Sequence, residues 1–335
     1  MPEPAVETHN LRKTYVQPKR APGMMGSVKA LFKGDKTEIE AVKGISLRLE
    51  KGERVGFLGP NGAGKTTTLK MLSGILHPTA GEAKVLGYEP WKRDPRMLQR
   101  MALVMGNKQQ LWWDLPAMDS FAVLKEIYEV PADLYKKRLD RLIDELDLKD
   151  KVNTQVRRLS LGERMKCELV AALLHGPEVV FLDEPTLGLD VVSQKRIRDF
   201  LKEQQQEDGM TLLLTSHYMQ DVTELCDRVV VIDHGAVVFE GTLEAMSARF
   251  SDTRRVRLTL EKPVPSEDLV AYGRIVENEG VTVALDVPRA ETARAAAALL
   301  QALPVADLSI EETDVEDVLR AMFAEGREEE RGNKE

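Results

Sequence analysis

Residues Arg54 to Thr68, RVGFLGPNGAGKTTT, restrict the possible folds more than any other stretch of this chain. Val55, Phe57 and Leu58 make a short apolar run closed by Gly59, the pattern of a buried strand. Gly59, Gly64, Lys65 and Thr66 then fit G-x-x-x-x-G-K-[ST], and Thr67 to Leu72 continue at helical spacing. Strand, glycine loop and helix together separate this pattern from a chance string. The glycines let successive backbone N–H groups face one concavity, and the helix start near Lys65 adds its positive dipole end there. Lys65 supplies a full charge for β- and γ-phosphates, and the Thr66 hydroxyl is placed to bind Mg²⁺. The whole run Gly59, Pro60, Asn61, Gly62, Ala63, Gly64, Lys65, Thr66 and Thr67 is expected to wrap a nucleotide's phosphates.

At 335 residues the chain can bury a sizeable core and form two or three domains. Its formal net charge of −8 is uneven, because ten acidic and four basic residues fall from Glu311 onward. The remainder is close to balance and has no basic footprint for nucleic acid, so no nucleic-acid partner is expected. Cys167 and Cys226 lack paired spacing and read as free thiols of a reducing compartment. MPEPAVETHN does not read as a signal peptide, and no apolar run reaches the length that crosses a bilayer. Any work at a membrane therefore needs a partner to hold the chain there.

Val6 to Thr14 reads as an edge strand, and Ile39 to Leu49 as the next strand. Between them, residues 16 to 38 form a basic insertion carrying Lys19, Arg20, Lys29, Lys33 and Lys36. Met24, Val28, Leu31 and Phe32 within it fall at helical spacing, which suits either a solvated loop or a contact with a partner or lipid headgroup. Short strands are expected at Lys84 to Gly87, Met101 to Met105, Val179 to Leu182, Thr211 to Leu214, Val229 to Asp233 and Val237 to Glu240. Helical patterns run from Met118 to Leu148, Leu161 to His175, Ser193 to Gln206 and Met219 to Cys226. This alternation implies an α/β fold with a parallel sheet and covering helices. Residues from about 107 to 172 read as an inserted helical subdomain. A small α+β module is expected over 254 to 324, ending in a helix from Val315 to Ala324. An acidic, disordered tail over 325 to 335 follows it.

In Val179 to Pro185, VVFLDEP, an apolar strand delivers two adjacent carboxylates. Such a pair is costly at a strand end unless a cation or substrate uses it. Asp183 is assigned to Mg²⁺ and Glu184 to the attacking water as general base. Leu159-Ser160-Leu161-Gly162-Glu163 opens a helix with Ser160 as a good N-cap. Phosphate loop, this segment, FLDEP, Gly188-Leu189-Asp190 and Thr215-Ser216-His217 occur in that order. In that order the chain resembles the ATP-binding subunit of an ABC transporter, with a P-loop NTPase core.

That resemblance covers about residues 5 to 245 and implies further roles. Ser160 and Gly162 match the signature segment, which approaches the γ-phosphate of ATP bound by another copy; Leu161 and Glu163 depart from the usual Leu-Ser-Gly-Gly-Gln. His217 matches the switch histidine that bridges γ-phosphate and attacking water. Asp190 matches the loop joining the two sites of a dimer, and Tyr15 the aromatic that stacks on adenine. A glutamine that touches Mg²⁺ normally follows the strand Met101 to Met105. Here position favours Asn107 and chemistry favours Gln109 or Gln110, with Asn107 the preferred choice. Trp112 and Trp113 follow, either as core or as anchors for a permease helix. The resemblance implies ATP and Mg²⁺ as cofactors and integral membrane permease subunits as partners. It also implies a homodimer or heterodimer of ATPase subunits on the cytoplasmic face of the membrane, working in export. The alternatives are a soluble ABC-type ATPase acting on ribosomes or nucleic acid, and a regulatory ATP-binding subunit.

Overall fold

A computed structural model describes residues 3–18, 36–106, 108–216, 218–250, 252–312 and 319. The chain divides into two compact units, Met1–Glu240 and Gly241–Glu335.

The first unit is built on a six-stranded sheet in the order β5-β6-β7-β3-β8-β9. Its strands are β3 (Arg54–Leu58), β5 (Met101–Met105), β6 (Val179–Asp183), β7 (Thr211–Thr215), β8 (Arg228–Asp233) and β9 (Ala236–Gly241). The neighbours β5/β6, β6/β7, β7/β3 and β3/β8 run parallel. Every residue of β6 and β7 is buried, as expected for strands covered on both faces. The parallel arrangement places the carboxyl ends of β3, β6 and β7 along one edge, where open α/β sheets bind ligands.

A second, antiparallel sheet has the order β2-β1-β4, with β1 at Val6–Pro18, β2 at Lys36–Leu49 and β4 at Ala80–Val85. The expectation that Val6 to Thr14 forms an edge strand is therefore wrong. Val6 pairs with Leu49 on one side and Val85 on the other, which makes β1 the central strand. Val6, Leu11, Ile45 and Val85 share a core with Phe57, Phe181 and Leu213 of the larger sheet. Helix α1 (Lys65–Leu72) adds Leu69, Met71 and Leu72 to the same cluster.

The helical pattern expected over Met118 to Leu148 divides into α2 (Ala117–Ile127) and α3 (Ala132–Glu145). Pro116 and Pro131 stand at their N-caps, because proline lacks the N–H that a helix interior needs but suits a first turn. Helix α4 (Leu161–Leu173) is mostly buried, and α5 (Val191–Asp208) ends on left-handed Gly209. Helix α6 (Met219–Leu225) precedes β8. No helix among the described residues is long and apolar enough to cross a membrane.

In the second unit, helix α7 (Leu243–Phe250) precedes a four-stranded antiparallel sheet in the order β11-β12-β10-β13. These strands are β10 (Thr253–Leu260), β11 (Arg274–Glu279), β12 (Thr282–Pro288) and β13 (Val305–Glu312). Helix α8 (Thr292–Ala302) contributes Leu299 to a core with Val256, Leu258, Val283 and Leu285. Alternate strand positions hold an ion cluster in which Asp286 accepts from Arg255 and Arg274, each at 2.9 Å. The helix expected over Val315 to Ala324, the acidic tail and the amphipathic stretch of the basic insertion lie outside the described residues, apart from buried Leu319.

Candidate functional site

Apolar β3 carries the chain to Leu58 and releases it into the glycine loop. Gly64 ends that loop in a left-handed conformation, φ 105°, where a Cβ would stand 2.5 Å from the Ala41 carbonyl oxygen. Only glycine lets α1 begin with Lys65 in that place. Lys65 is 5% exposed, and its Nζ donates to the carbonyls of Gly59 at 2.6 Å and Pro60 at 3.1 Å. Burial lowers its pKa, while the nearby charges of Glu184 and Asp183 oppose that shift. A cavity of about 140 Å³ is lined by Ala41, Asn61, Gly62, Gly64 to Thr67, and Glu184.

Asp183 ends β6 and is only 5% exposed. The Thr66 hydroxyl donates to its carboxylate at 2.9 and 3.0 Å, and the Thr215 hydroxyl donates to Oδ1 at 2.8 Å. A hydroxyl and a carboxylate oxygen beside a phosphate loop are the hard donors that Mg²⁺ uses when phosphates and water complete its shell. The residues present fit that ion. Glu184 lies in the left-handed region at φ 55°, uncommon for a non-glycine residue and typical of functional turns. Its N–H donates to the Thr215 carbonyl at 3.0 Å and hydroxyl at 3.2 Å. Thr215, named in the sequence only as the first residue of Thr215-Ser216-His217 and given no role there, thus holds both carboxylate-bearing residues.

A second cluster forms at the start of α4. Ser160 and Glu163 make a reciprocal capping box: Ser160 Oγ accepts from Glu163 N–H at 3.2 Å, and Glu163 Oε2 from Ser160 N–H at 2.9 Å. Lys151, 2.8 Å from Glu163, and that backbone hydrogen bond hold the carboxyl below its usual range. Gly162 is a point of close approach, since a Cβ there would stand 2.6 Å from Ser193 Oγ. Asp190 caps α5, accepting from Ser193 N–H at 2.9 Å and Ser193 Oγ at 2.7 Å. Ser160, Gly162 and Asp190 do not line the phosphate-loop cavity. The two clusters are therefore separate in one chain.

Asn107 and His217 lie outside the described residues. Gly106, just before the former, donates its N–H to the Asp183 carbonyl at 2.8 Å. Gln110 is directed elsewhere: its amide nitrogen donates to the Glu168 carbonyl at 3.1 Å, and its backbone N–H to the Glu168 carboxylate at 3.1 and 3.2 Å. Tyr15 pairs with Ile39 and has Lys13 5.6 Å from its ring centroid, but it does not line the cavity. Trp112 and Trp113 are 42% and 45% exposed, so they are not core. Elsewhere, Ile75, Leu98, Met105, Gln110, Ile127 and Tyr128 line a largely apolar groove of about 430 Å³.

Family models match the chain in two places: an ABC transporter model over residues 42–187, and an EvrA-like ABC transporter C-terminal domain over residues 252–311. The ABC transporter ATP-binding protein NatA of Bacillus subtilis (strain 168) is 35% identical over 215 residues, 64% of this chain and 87% of that protein. The daunorubicin/doxorubicin resistance ATP-binding protein DrrA of Streptomyces peucetius is 31% identical over 315 residues, 91% of this chain and 93% of that one. A solved ATP-binding subunit of an ABC transporter covers 73% of this chain and 93% of its own, with a TM-score of 0.62 at 24% identity. The cassette MJ0796, dimeric in a post-hydrolysis state bound to ADP and Pi, covers 71% of this chain and 98% of its own. Its TM-score is 0.59 at 24% identity, a likeness of fold. The chain belongs to the ATP-binding subunits of ABC transporters.

Proposed function

We propose that two ATPase subunits face each other head to tail, each clamping ATP between its own Lys65 loop and the partner subunit's Ser160 helix start. The observation that carries this reading is that Ser160, Gly162 and Asp190 do not line the cavity at the Lys65 loop of their own chain. The chain binds and hydrolyses ATP to power transport through permease subunits. In the proposed arrangement Lys65 exchanges the carbonyls of Gly59 and Pro60 for phosphate oxygens, while loop N–H groups hold the remaining charge. Thr66 and Asp183 would hold Mg²⁺, which when bound offsets charge on the β- and γ-phosphates. Glu184 orients and deprotonates the attacking water, and His217 contacts the γ-phosphate. Gly162 and Ser160 complete the clamp from the partner, with Asp190 joining the two sites. Tyr15 stacks on the base.

Gln110 is tied to Glu168, which leaves Asn107, favoured by its position in the sequence, and Gln109 as the candidates for the metal-contacting amide. The apolar groove and the exposed Trp112 and Trp113 are assigned to contact with an integral membrane permease. That docking would hold the ATPase to the cytoplasmic face of the membrane. DrrA and the linearmycin resistance protein LnrL of Bacillus subtilis (strain 168) are named for drug resistance, which favours export.

Glu184→Gln in the full chain should bind ATP within about threefold of the parent and lose at least about a hundredfold in turnover. Undiminished hydrolysis would remove Glu184 as the base.

A further inference from the structure

A buried polar cluster behind the proposed site centres on Asp221, which is fully buried at the start of α6. Its Oδ2 accepts from the hydroxyl of Thr186, two residues after Glu184, and from that of Ser216, the residue before His217, the latter at 2.6 Å. Ser216 Oγ in turn accepts the Tyr218 N–H at 3.0 Å, so both neighbours of His217 in the chain meet at one hydroxyl. Oδ1 pairs with Arg198 Nη1 at 3.1 Å, and Arg198 is 1% exposed in the middle of α5, the helix that Asp190 caps. On that same helix, Gln194 Nε2 donates to the Leu189 carbonyl at 3.1 Å, fixing the segment just before Asp190.

We propose that Asp221 is a positioning residue for hydrolysis, one carboxylate that fixes the segments bearing Glu184, His217 and Asp190 relative to one another. The inference rests on the reading of Glu184 and His217 as hydrolytic residues and adds what aims them. Asp221 and Arg198 sit in helices with their side chains excluded from water. In such surroundings a satisfied polar network is rigid, and losing one arm leaves a buried group unpaired. A displacement of about 1 Å in a reacting group can lower a rate about a hundredfold. Ground-state binding by Lys65 and the phosphate loop does not pass through the cluster.

The test is a set of single substitutions in the full chain, measured for kcat, KM for ATP and thermal midpoint. Thr186→Val and Ser216→Ala each remove one hydroxyl arm with little change in volume. Each should lower kcat by about tenfold or more and leave KM within about twofold. Thr186→Ser, which restores the hydroxyl, should return kcat to within about twofold of the parent. Asp221→Asn should lower kcat further, and if it does not fold the hydroxyl variants still decide. Wild-type kcat in both Thr186→Val and Ser216→Ala would overturn the proposal. So would a Thr186→Ser as impaired as Thr186→Val, or losses that appear in KM alone. Glu184→Gln run alongside separates the two claims. If it keeps full turnover, the reading of the base fails; if it is dead while the hydroxyl variants are normal, only Asp221 is misassigned.

Discussion

Lys65 brings a charge into a position that is 5% exposed, and the hydrogen bonds that answer it come from backbone carbonyls of its own loop. A phosphate is a stronger partner for that ammonium than two carbonyls, so the loop is built to exchange them. His175 shows the opposite strategy, a half-buried ring kept neutral. It stacks on Tyr128 at 3.9 Å between centroids, with Nε2 3.1 Å from the Met101 carbonyl and Nδ1 buried without a hydrogen-bond partner. Burial lowers its pKa from 6.5 to about 4. An unfolded chain protonates this residue first, so the stability it permits is complete above pH 6.5 and is lost as pH falls toward 4. The loss amounts to roughly 3 kcal/mol at most. Thermal midpoints from pH 7 to pH 4 should fall more steeply for the parent than for His175→Asn; parallel curves would contradict the burial of a neutral ring.

The start of α4 shows how a helix cap can serve a second purpose. Ser160→Ala removes the capping box and should cost about 1 kcal/mol, read as a lower midpoint in urea, whereas Ser160→Asp keeps an N-cap acceptor and should melt near the parent. Equal destabilisation in both variants would contradict the cap. Elements of this kind were legible because their signals are local. Strands β5, β6 and β7 announce themselves as short apolar runs, and the glycine loop is contiguous in sequence. The position of β1 was not legible: the same alternation serves an edge or a centre, and only pairing with distant Val85 decides. Pro131 could have divided the long helical pattern, but periodicity on both sides masked it. Thr215 and Asp221 act through contacts that close only when β6, β7 and α6 assemble, so the role of Thr215 was not legible from its motif and Asp221 was not marked at all.

At the scale of the molecule, the proposed clamp would make an incomplete site in each chain a means of coupling. If the Lys65 loop of one chain and the Ser160 helix start of another enclose one ATP, nucleotide binding and subunit closure become one event. Release of phosphate would then weaken the joint, and a partner seated in the apolar groove would feel each closure and opening. Mixing two inactive chains tests the intermolecular clamp most directly. Lys65→Met disables the phosphate loop, and Ser160→Asp places a charge against the γ-phosphate while keeping the helix capped. Neither chain alone should hydrolyse ATP. An equimolar mixture forms mixed pairs in which one composite site has both an intact loop and an intact Ser160, and its ATPase rate should recover to about a quarter of the parent's. A mixture no more active than its two components, with mixed pairs demonstrably formed, would contradict the clamp.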